Sequence, residues 1–251
     1  MDNDLKQFKK EFDRYFFEVQ FLMKIYNKGK KETDLCLASD FNVFNYINPN
    51  ENGLSNIFTD LLDPNGNHGQ RGVFLKEFLN IIDQNEKVAL MDCTLVREDV
   101  TNYISNNLRR IDITLCFENG FVVGIENKPW STEQDNQLQD YQEHLNKKYG
   151  DNWCLVYISG DGSEPISIEE SLKEQYIEAG KLVVLNYVED VVQWLNNCYK
   201  ECKAEKVRFF IQNFIAYIEE NFDNISEYMD GGVIVSSQEK CTTLRQKMYH
   251  S

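Results

Sequence analysis

No stretch of the 251-residue chain approaches the run of roughly 18–20 apolar residues that a membrane-spanning helix requires. The opening MDNDLKQFKK contains no apolar core of a secretory signal, so the expected location is the cytoplasm. The seven cysteines are odd in number and include no CxxC pair, and no histidines stand at zinc-finger spacing. Cys198 and Cys202 are four apart with no further ligand beside them, and they read as ordinary thiols of a reducing compartment. A P-loop, a dinucleotide-binding fingerprint, an HExxH pair and a nucleophile elbow are all missing, which removes the commonest nucleotide, zinc-protease and serine-hydrolase chemistries. Internal repeats, low-complexity segments and obvious linkers are missing too, so one domain is expected across 1–251.

Positive charge is also scarce. Lys and Arg total 26 against 41 Asp and Glu, a net charge of −15 and a pI near 4.7. Such a balance excludes a broad basic coat for gripping phosphates, because that grip works by releasing cations from the polyanion. A local basic groove is still compatible with it. Its candidates are Lys28, Lys30 and Lys31; Arg109 and Arg110; Lys147 and Lys148; and Lys203, Lys206 and Arg208, each of which taken singly reads more simply as a solvated face. Divalent cations would offset acidity where a phosphate approaches.

What is present begins with helices. Residues 4–26 place Leu5, Phe8, Phe12, Tyr15, Val19 and Leu22 three or four apart, which predicts an amphipathic helix with an inward face, ended by the Lys28–Lys31 stretch around Gly29. A second helix is expected over about 51–62, with Leu54, Ile57, Phe58, Leu61 and Leu62 inward. The breaker cluster 63–69 makes a loop, and a third helix follows over about 71–83. The period then changes. Strands are expected at 94–100, at 110–117 with Ile111, Ile113, Leu115 and Phe117 on one face, and at 121–128, stopped by Pro129. Ser131 and Gln134 form a capping-box pattern opening a helix through Leu138, Tyr141, Leu145 and Tyr149, closed by Gly150. Residues 153–159 and 181–187 read as buried strands, parallel through a helical crossover over 168–179, and helices follow at about 188–200 and 204–222. The whole is an α/β chain: a helical part to about 85, a sheet core over about 90–190, a helical part over about 188–222, and a loosely ordered tail from Gly231.

The chemistry concentrates in the middle hairpin. Glu126 and Lys128 are two apart on a strand and leave by the same face. Parity decides whether Asp112 joins them. A two-residue loop at Asn119-Gly120 would oppose Asp112 to Asn127. A three-residue loop, Glu118-Asn119-Gly120, opposes Phe117 to Phe121 and therefore Asp112 to Glu126, and it wants a left-handed last residue where Gly120 stands. Two adjacent carboxylates repel and raise each other's pKa, a conflict that a hard, oxygen-seeking ion such as Mg²⁺ or Mn²⁺ relieves. Such an ion polarises a phosphoryl oxygen and acidifies water, and a neighbouring lysine acts on the water or on the charge developing at phosphorus. The [DE]-x-K pattern alone is weak, for it also occurs at Asp4–Lys6 and Glu201–Lys203; those two fall in helical patterns, where residues two apart diverge. Spacing alone leaves open an exposed ion pair on a surface hairpin.

Four segments in order, E51-NGLSNIFTDLLDPNGNHGQ70, R110-IDI113, G124-IENKPW130 and Q137-LQDY141, together resemble the PD-(D/E)XK nuclease superfamily over about residues 50–160. The resemblance implies a restriction-endonuclease-like fold, a mixed central β-sheet flanked by helices. It implies Asp112 and Glu126 as metal ligands, Lys128 as the catalytic lysine, and Glu51 completing the metal shell directly or through water. It implies that Gln137 and Tyr141, one helical turn apart, lie on the substrate side of the site, although Tyr141 reads as core from its spacing. His68, in a glycine-rich loop, reads as a turn residue. The first motif is Ile-Asp rather than Pro-Asp, a variation the superfamily tolerates. The expected function is a Mg²⁺- or Mn²⁺-dependent nuclease acting on DNA in defence, restriction or repair. A non-catalytic nucleic-acid-binding module on the same fold is the alternative, and a hydrolase of a non-polymeric phosphodiester is a third reading. The expected partners are nucleic acid and a second copy of the chain, with no membrane.

Overall fold

The computed structural model describes residues 2–38, 40–88, 93–101, 109–130 and 133–222. Packing divides the chain into two compact units, Met1–Val43 and Phe44–Ser251. The expected tail from Gly231 lies outside the described residues.

The first unit is dominated by α1, Asp2–Leu37. It runs well past the expected end, straight through Gly29. A glycine inside a helix costs only about 1 kcal/mol relative to alanine, and the residues on both sides are good helix formers. The Thr33 hydroxyl donates back to the carbonyls of Gly29 (3.2 Å) and Lys30 (3.1 Å) within the continuing helix. The face expected to point inward does not: Phe8, Phe12, Tyr15 and Leu22 are exposed.

The second unit holds α2 (Phe44–Ile47), α3 (Glu51–Leu62), α4 (Val73–Ile81), β1 (Cys93–Val100), β2 (Arg110–Phe117), β3 (Val122–Lys128), α5 (Gln137–Tyr149), β4 (Trp153–Ser159), α6 (Glu170–Glu178), β5 (Leu182–Asn186), a π-helical turn Tyr187–Val191, α7 (Val192–Glu201) and α8 (Glu205–Phe222). The five strands form one sheet in the order β1-β2-β3-β4-β5, antiparallel through β3 and parallel from β3 to β5. The parallel pairs need crossovers, which α5 and α6 supply, as a chain that returns to the same end of a sheet must. The result is a mixed sheet flanked by helices, the restriction-endonuclease-like α/β architecture expected.

Two layers cover the sheet. On one side Leu138, Tyr141 and Leu145 of α5 pack with Val122, Leu155 and Tyr157. On the other, α3 meets β2 and β3, and behind it Phe58 stacks on Trp194 (5.4 Å), whose indole N–H donates to the carbonyl of Phe74 (2.9 Å). The loop between α3 and α4 is tied by His68: Nδ1 accepts from Gln70 N–H (3.0 Å), so Nε2 donates to the carbonyl of Asp63 (2.9 Å). Both ring nitrogens are used, and His68 is a turn residue.

The central hairpin has the register that parity requires. Ile113 pairs with Ile125, Thr114 with Gly124, Leu115 with Val123 and Cys116 with Val122. Phe117 N–H donates to Phe121 O (3.0 Å) across a three-residue loop, and Gly120 adopts φ +83°. One detail of the alternation differs from expectation. Ile111 packs with the α5 layer alongside Val122, whereas Ile113 faces the opposite side with Ile125. The alternation therefore breaks at Asp112. The residue across from it on β1, Glu98, sits at φ +49° between the Arg97–Ile113 and Asp99–Ile111 pairs.

Candidate active site

At Asp112 the regular β2–β3 ladder has ended, for its last pair is Ile113–Ile125. Counting the register one step further brings Asp112 opposite Glu126. There the Asp112 side chain does what a strand carbonyl would have done: its Oδ2 accepts the backbone N–H of Asn127 (2.9 Å). Its own carbonyl is taken by the Arg97 guanidinium (2.7 Å). Two strands that part here leave room for side chains between them.

Glu126 enters from β3 and is almost wholly buried, with 1% of its surface exposed. Oε1 accepts from Lys128 Nζ (2.8 Å) and from Gln137 Nε2 (2.6 Å). Oε2 is buried with no hydrogen-bond partner among the described residues. Burial, and then the negative charge of Asp112, push the carboxyl up to about 8. Asp112 is raised as well, by burial first, against the pull of the Asn127 N–H and the Lys128 charge.

Lys128 lies between two acids. Its Nζ donates to Glu51 Oε1 (2.9 Å) as well as to Glu126. Burial works against its charge, but Glu126 and Glu51 together outweigh it and hold the ammonium above its ordinary range. Glu51 is placed by local sequence: Pro49 precedes Asn50, whose side chain accepts Gly53 N–H (2.9 Å) and caps α3, so that Glu51 falls in the first turn.

Gln137 and Tyr141 stand behind Glu126 rather than in front of it. The Gln137 amide is fully used: Oε1 accepts Gln134 N–H (3.1 Å), and Nε2 donates to Glu126 and to Tyr141 OH (2.9 Å). Tyr141 OH in turn donates to the carbonyl of Arg110 (2.6 Å). Both side chains are buried, so their direct contacts are with the Glu126 carboxylate and with the β2 backbone at Arg110.

The expected capping box does not open α5. The helix starts at Gln137, after a left-handed Asn136. Its leading N–H groups are taken by a loop, Leu138 N–H by Ser167 Oγ (3.0 Å) and Gln139 N–H by Ser167 O (3.3 Å), while the Glu133 carboxylate holds that loop through Ile166 N–H (2.8 Å) and Ser167 N–H (3.0 Å). Ser131 lies outside the described residues.

Several expected groove cations are engaged elsewhere. Arg109 is paired with Asp140 and also donates to Gln134 Oε1 (2.9 Å), tying the segment before α5 to that helix. Arg110 pairs with Glu98 (3.0 Å) and Lys147 with Glu143, and Lys148 approaches Asp99 (3.8 Å). Lys30 is paired with Asp40.

Sequence reasoning overlooked Asn127. It is fully buried, donates through Nδ2 to Ser55 Oγ on α3 (3.0 Å), and accepts through Oδ1 from Tyr187 OH in the π-helical turn (2.7 Å). Counting its backbone N–H on Asp112, this one residue joins β2, β3, α3 and the turn. A signal was available, since asparagine is depleted in strand interiors and this one stands between Glu126 and Lys128 within a strand.

The donor set suits a hard cation. Glu126 brings a buried oxygen with no hydrogen-bond partner among the described residues, and the neighbouring Asp112 charge raises the Glu126 carboxyl. Among the described residues no three His, Cys, Asp or Glu side chains are grouped so as to hold a metal ion. Mg²⁺ is held by one or two carboxylates and keeps the rest of its shell for water and substrate phosphate, and Asp112 and Glu126 are two such carboxylates.

A comparison with protein families matches residues 41–216, well over half of the chain, to a family described as the PD-(D/E)XK nuclease superfamily. No curated protein and no solved structure matches. The matched span contains the parted hairpin, the buried Glu126 and the lysine bridging it to Glu51, and the chain belongs to the PD-(D/E)XK nuclease superfamily.

Proposed function

We propose that this protein is a divalent-metal-dependent nuclease that hydrolyses phosphodiester bonds of DNA, with Asp112 and Glu126 holding the ion and Glu51 contributing to its shell. The observation that carries the reading is the buried Oε2 of Glu126, without a hydrogen-bond partner among the described residues and beside a second carboxylate. A fold does not keep such an oxygen out of water without a use for it, because an unpaired buried polar group costs about 1–3 kcal/mol. When bound, the ion supplies Lewis-acid polarisation of a phosphoryl oxygen and a more acidic water.

The chain's own groups do the rest. Gln137 aims the Glu126 carboxylate, and Tyr141 fixes Gln137. Asn127 N–H aims Asp112. Lys128, held between Glu51 and Glu126, carries a full positive charge to where negative charge develops on the phosphoryl group, and Glu51 keeps that charge in place.

The test is purified protein incubated with single- and double-stranded DNA and RNA, with Mg²⁺, Mn²⁺ or chelator. Wild type should cut DNA only with metal. Lys128→Ala should lose about 10²–10⁴-fold in rate while keeping fold and most binding, and Glu126→Ala should lose cleavage together with metal binding. Tight binding without cleavage under any metal would replace the nuclease reading with a binding module on the same fold. Equal rates for wild type and Lys128→Ala would reduce Lys128 to an ion-pair partner.

A further inference from the structure

Twelve of the twenty large hydrophobic side chains exposed among the described residues sit on α1. Their spacing is not scattered. Phe8, Phe12, Tyr15, Val19, Leu22 and Tyr26 follow one another at intervals of four, three, four, three and four. That is the a/d seam of a heptad repeat, and Leu5 and Gly29 continue it in the sequence. Val19 is half-buried, and Phe8, Phe12, Tyr15, Leu22 and Tyr26 are between 58% and 69% exposed. Positions flanking the seam are apolar as well: Phe16 and Met23 at e, Ile25 at g, all exposed. Phe12 and Phe16 stack along the helix (6.5 Å between rings), an i, i+4 contact that widens the strip.

We infer that α1 is a self-association helix, its heptad seam packing against the same seam on a second copy of this chain. A 3-4 repeat forms holes that accept the knobs of a helix with the same repeat, and a second copy brings that repeat by symmetry. The area is sufficient. Each exposed seam or flanking side chain offers roughly 100 Å², so eight of them provide about 800 Å² per copy, what a stable interface takes from each partner. The strip from Phe8 to Tyr26 is about 28 Å long at 1.5 Å per residue, enough for several successive knob-into-hole layers.

The heptad makes a prediction that a merely sticky helix does not. Phe17 is as exposed as Phe8, both at 69%, but it falls at f, on the side away from the seam. The full chain, whose single-copy mass is 29.5 kDa, is measured by light scattering over micromolar concentrations. Wild type should run at twice that mass or a higher multiple. Phe12→Glu and Leu22→Glu should each run as the single chain, and Phe17→Glu should keep the wild-type mass. All three tryptophans, Trp130, Trp153 and Trp194, lie in the Phe44–Ser251 unit, so their fluorescence checks that the unit stays folded in every variant. A wild type that is a single chain throughout, a Phe12 variant that keeps the assembly, or a Phe17 variant that dissociates as readily as the Phe12 one would each overturn the inference.

Discussion

Replacing Asn127 by alanine removes both side-chain hydrogen bonds at the junction of β3, α3 and the π-helical turn. Tyr187 OH, in a side chain with no exposed surface, loses its acceptor, and Ser55 Oγ loses its donor. Tyr187 has nowhere to turn, so its hydroxyl contributes the full penalty of an unpaired buried group, about 1–3 kcal/mol. Ser55 is on a helix and can turn to the carbonyl one turn back, which reduces its share to roughly 1 kcal/mol. The sum is about 3 kcal/mol, or roughly 6–12 °C in melting temperature for a chain of this size. Tyr187→Phe alone should cost about 1–2 kcal/mol, by leaving Asn127 Oδ1 without its donor. The double variant should cost less than the two singles added, with a coupling of about 1 kcal/mol or more. Chemical denaturation followed by tryptophan fluorescence reads all four corners of this cycle. Additive corners, or an Asn127→Ala melting within a degree of wild type, would refute the junction. Ser55 stands one turn after Glu51, so the same substitution should also loosen Glu51 from Lys128.

Gln137→Leu leaves Glu126 Oε1 with Lys128 alone; calorimetric titration with Mn²⁺ should show affinity about 10–100-fold weaker, and unchanged affinity would show that the amide does not aim the carboxylate. The Glu126 carboxyl, raised from an ordinary value near 4.5 to about 8, gives two linked pH effects. Between those values the folded chain holds a proton that the unfolded chain has released, so metal-free stability should fall as pH rises from about 4.5 and level off above about 8. Metal competes with that same proton, so metal affinity should rise by up to about tenfold per pH unit towards 8 and then flatten, and a flat profile in both assays would contradict the raised carboxyl. Gly120→Ala meets no atom within 4 Å yet must adopt φ +83°, so a loss of about 1–2 kcal/mol on denaturation should be pure backbone strain; no loss would mean that the loop relaxes to another turn.

What sequence disclosed well was whatever depends on near neighbours. The ends of α3 follow from the apolar spacing over 51–62 and the breaker cluster at 63–69, and the β2 and β3 spans follow from alternation and Pro129. The register of the hairpin followed from counting, because a side-chain period of two leaves only odd or even. Expectation failed where distant residues or mild penalties decide. Gly29 looked like a stop, but one glycine is too weak to end a helix with good formers on both sides. Ser131 and Gln134 looked like a cap, but Ser167, some thirty residues further on, supplies the caps of α5. Arg109 looked like a free cation until Asp140, equally distant, claimed it. Asn127 was passed over because both of its side-chain partners lie sixty or more residues away. The residues expected at the site, Asp112, Glu126, Lys128 and Glu51, are brought together by the fold, while Gln137 and Tyr141 come to lie behind the Glu126 carboxylate.

The three-residue loop at Glu118–Gly120 has a consequence for how such a protein can change over generations. If the turn keeps its three residues, adding or removing one residue slips the pairing by one and can set Ile113 against Glu126 and Asp112 against Asn127, so one strand must turn over to keep its apolar side covered. Either a carboxylate is driven into the α3 layer or the two acids are parted. Changes of two residues leave both strands as they are. Lineages descending from this chain should therefore tolerate insertions and deletions at this hairpin in pairs, and single-residue changes should accompany loss of the acidic pair.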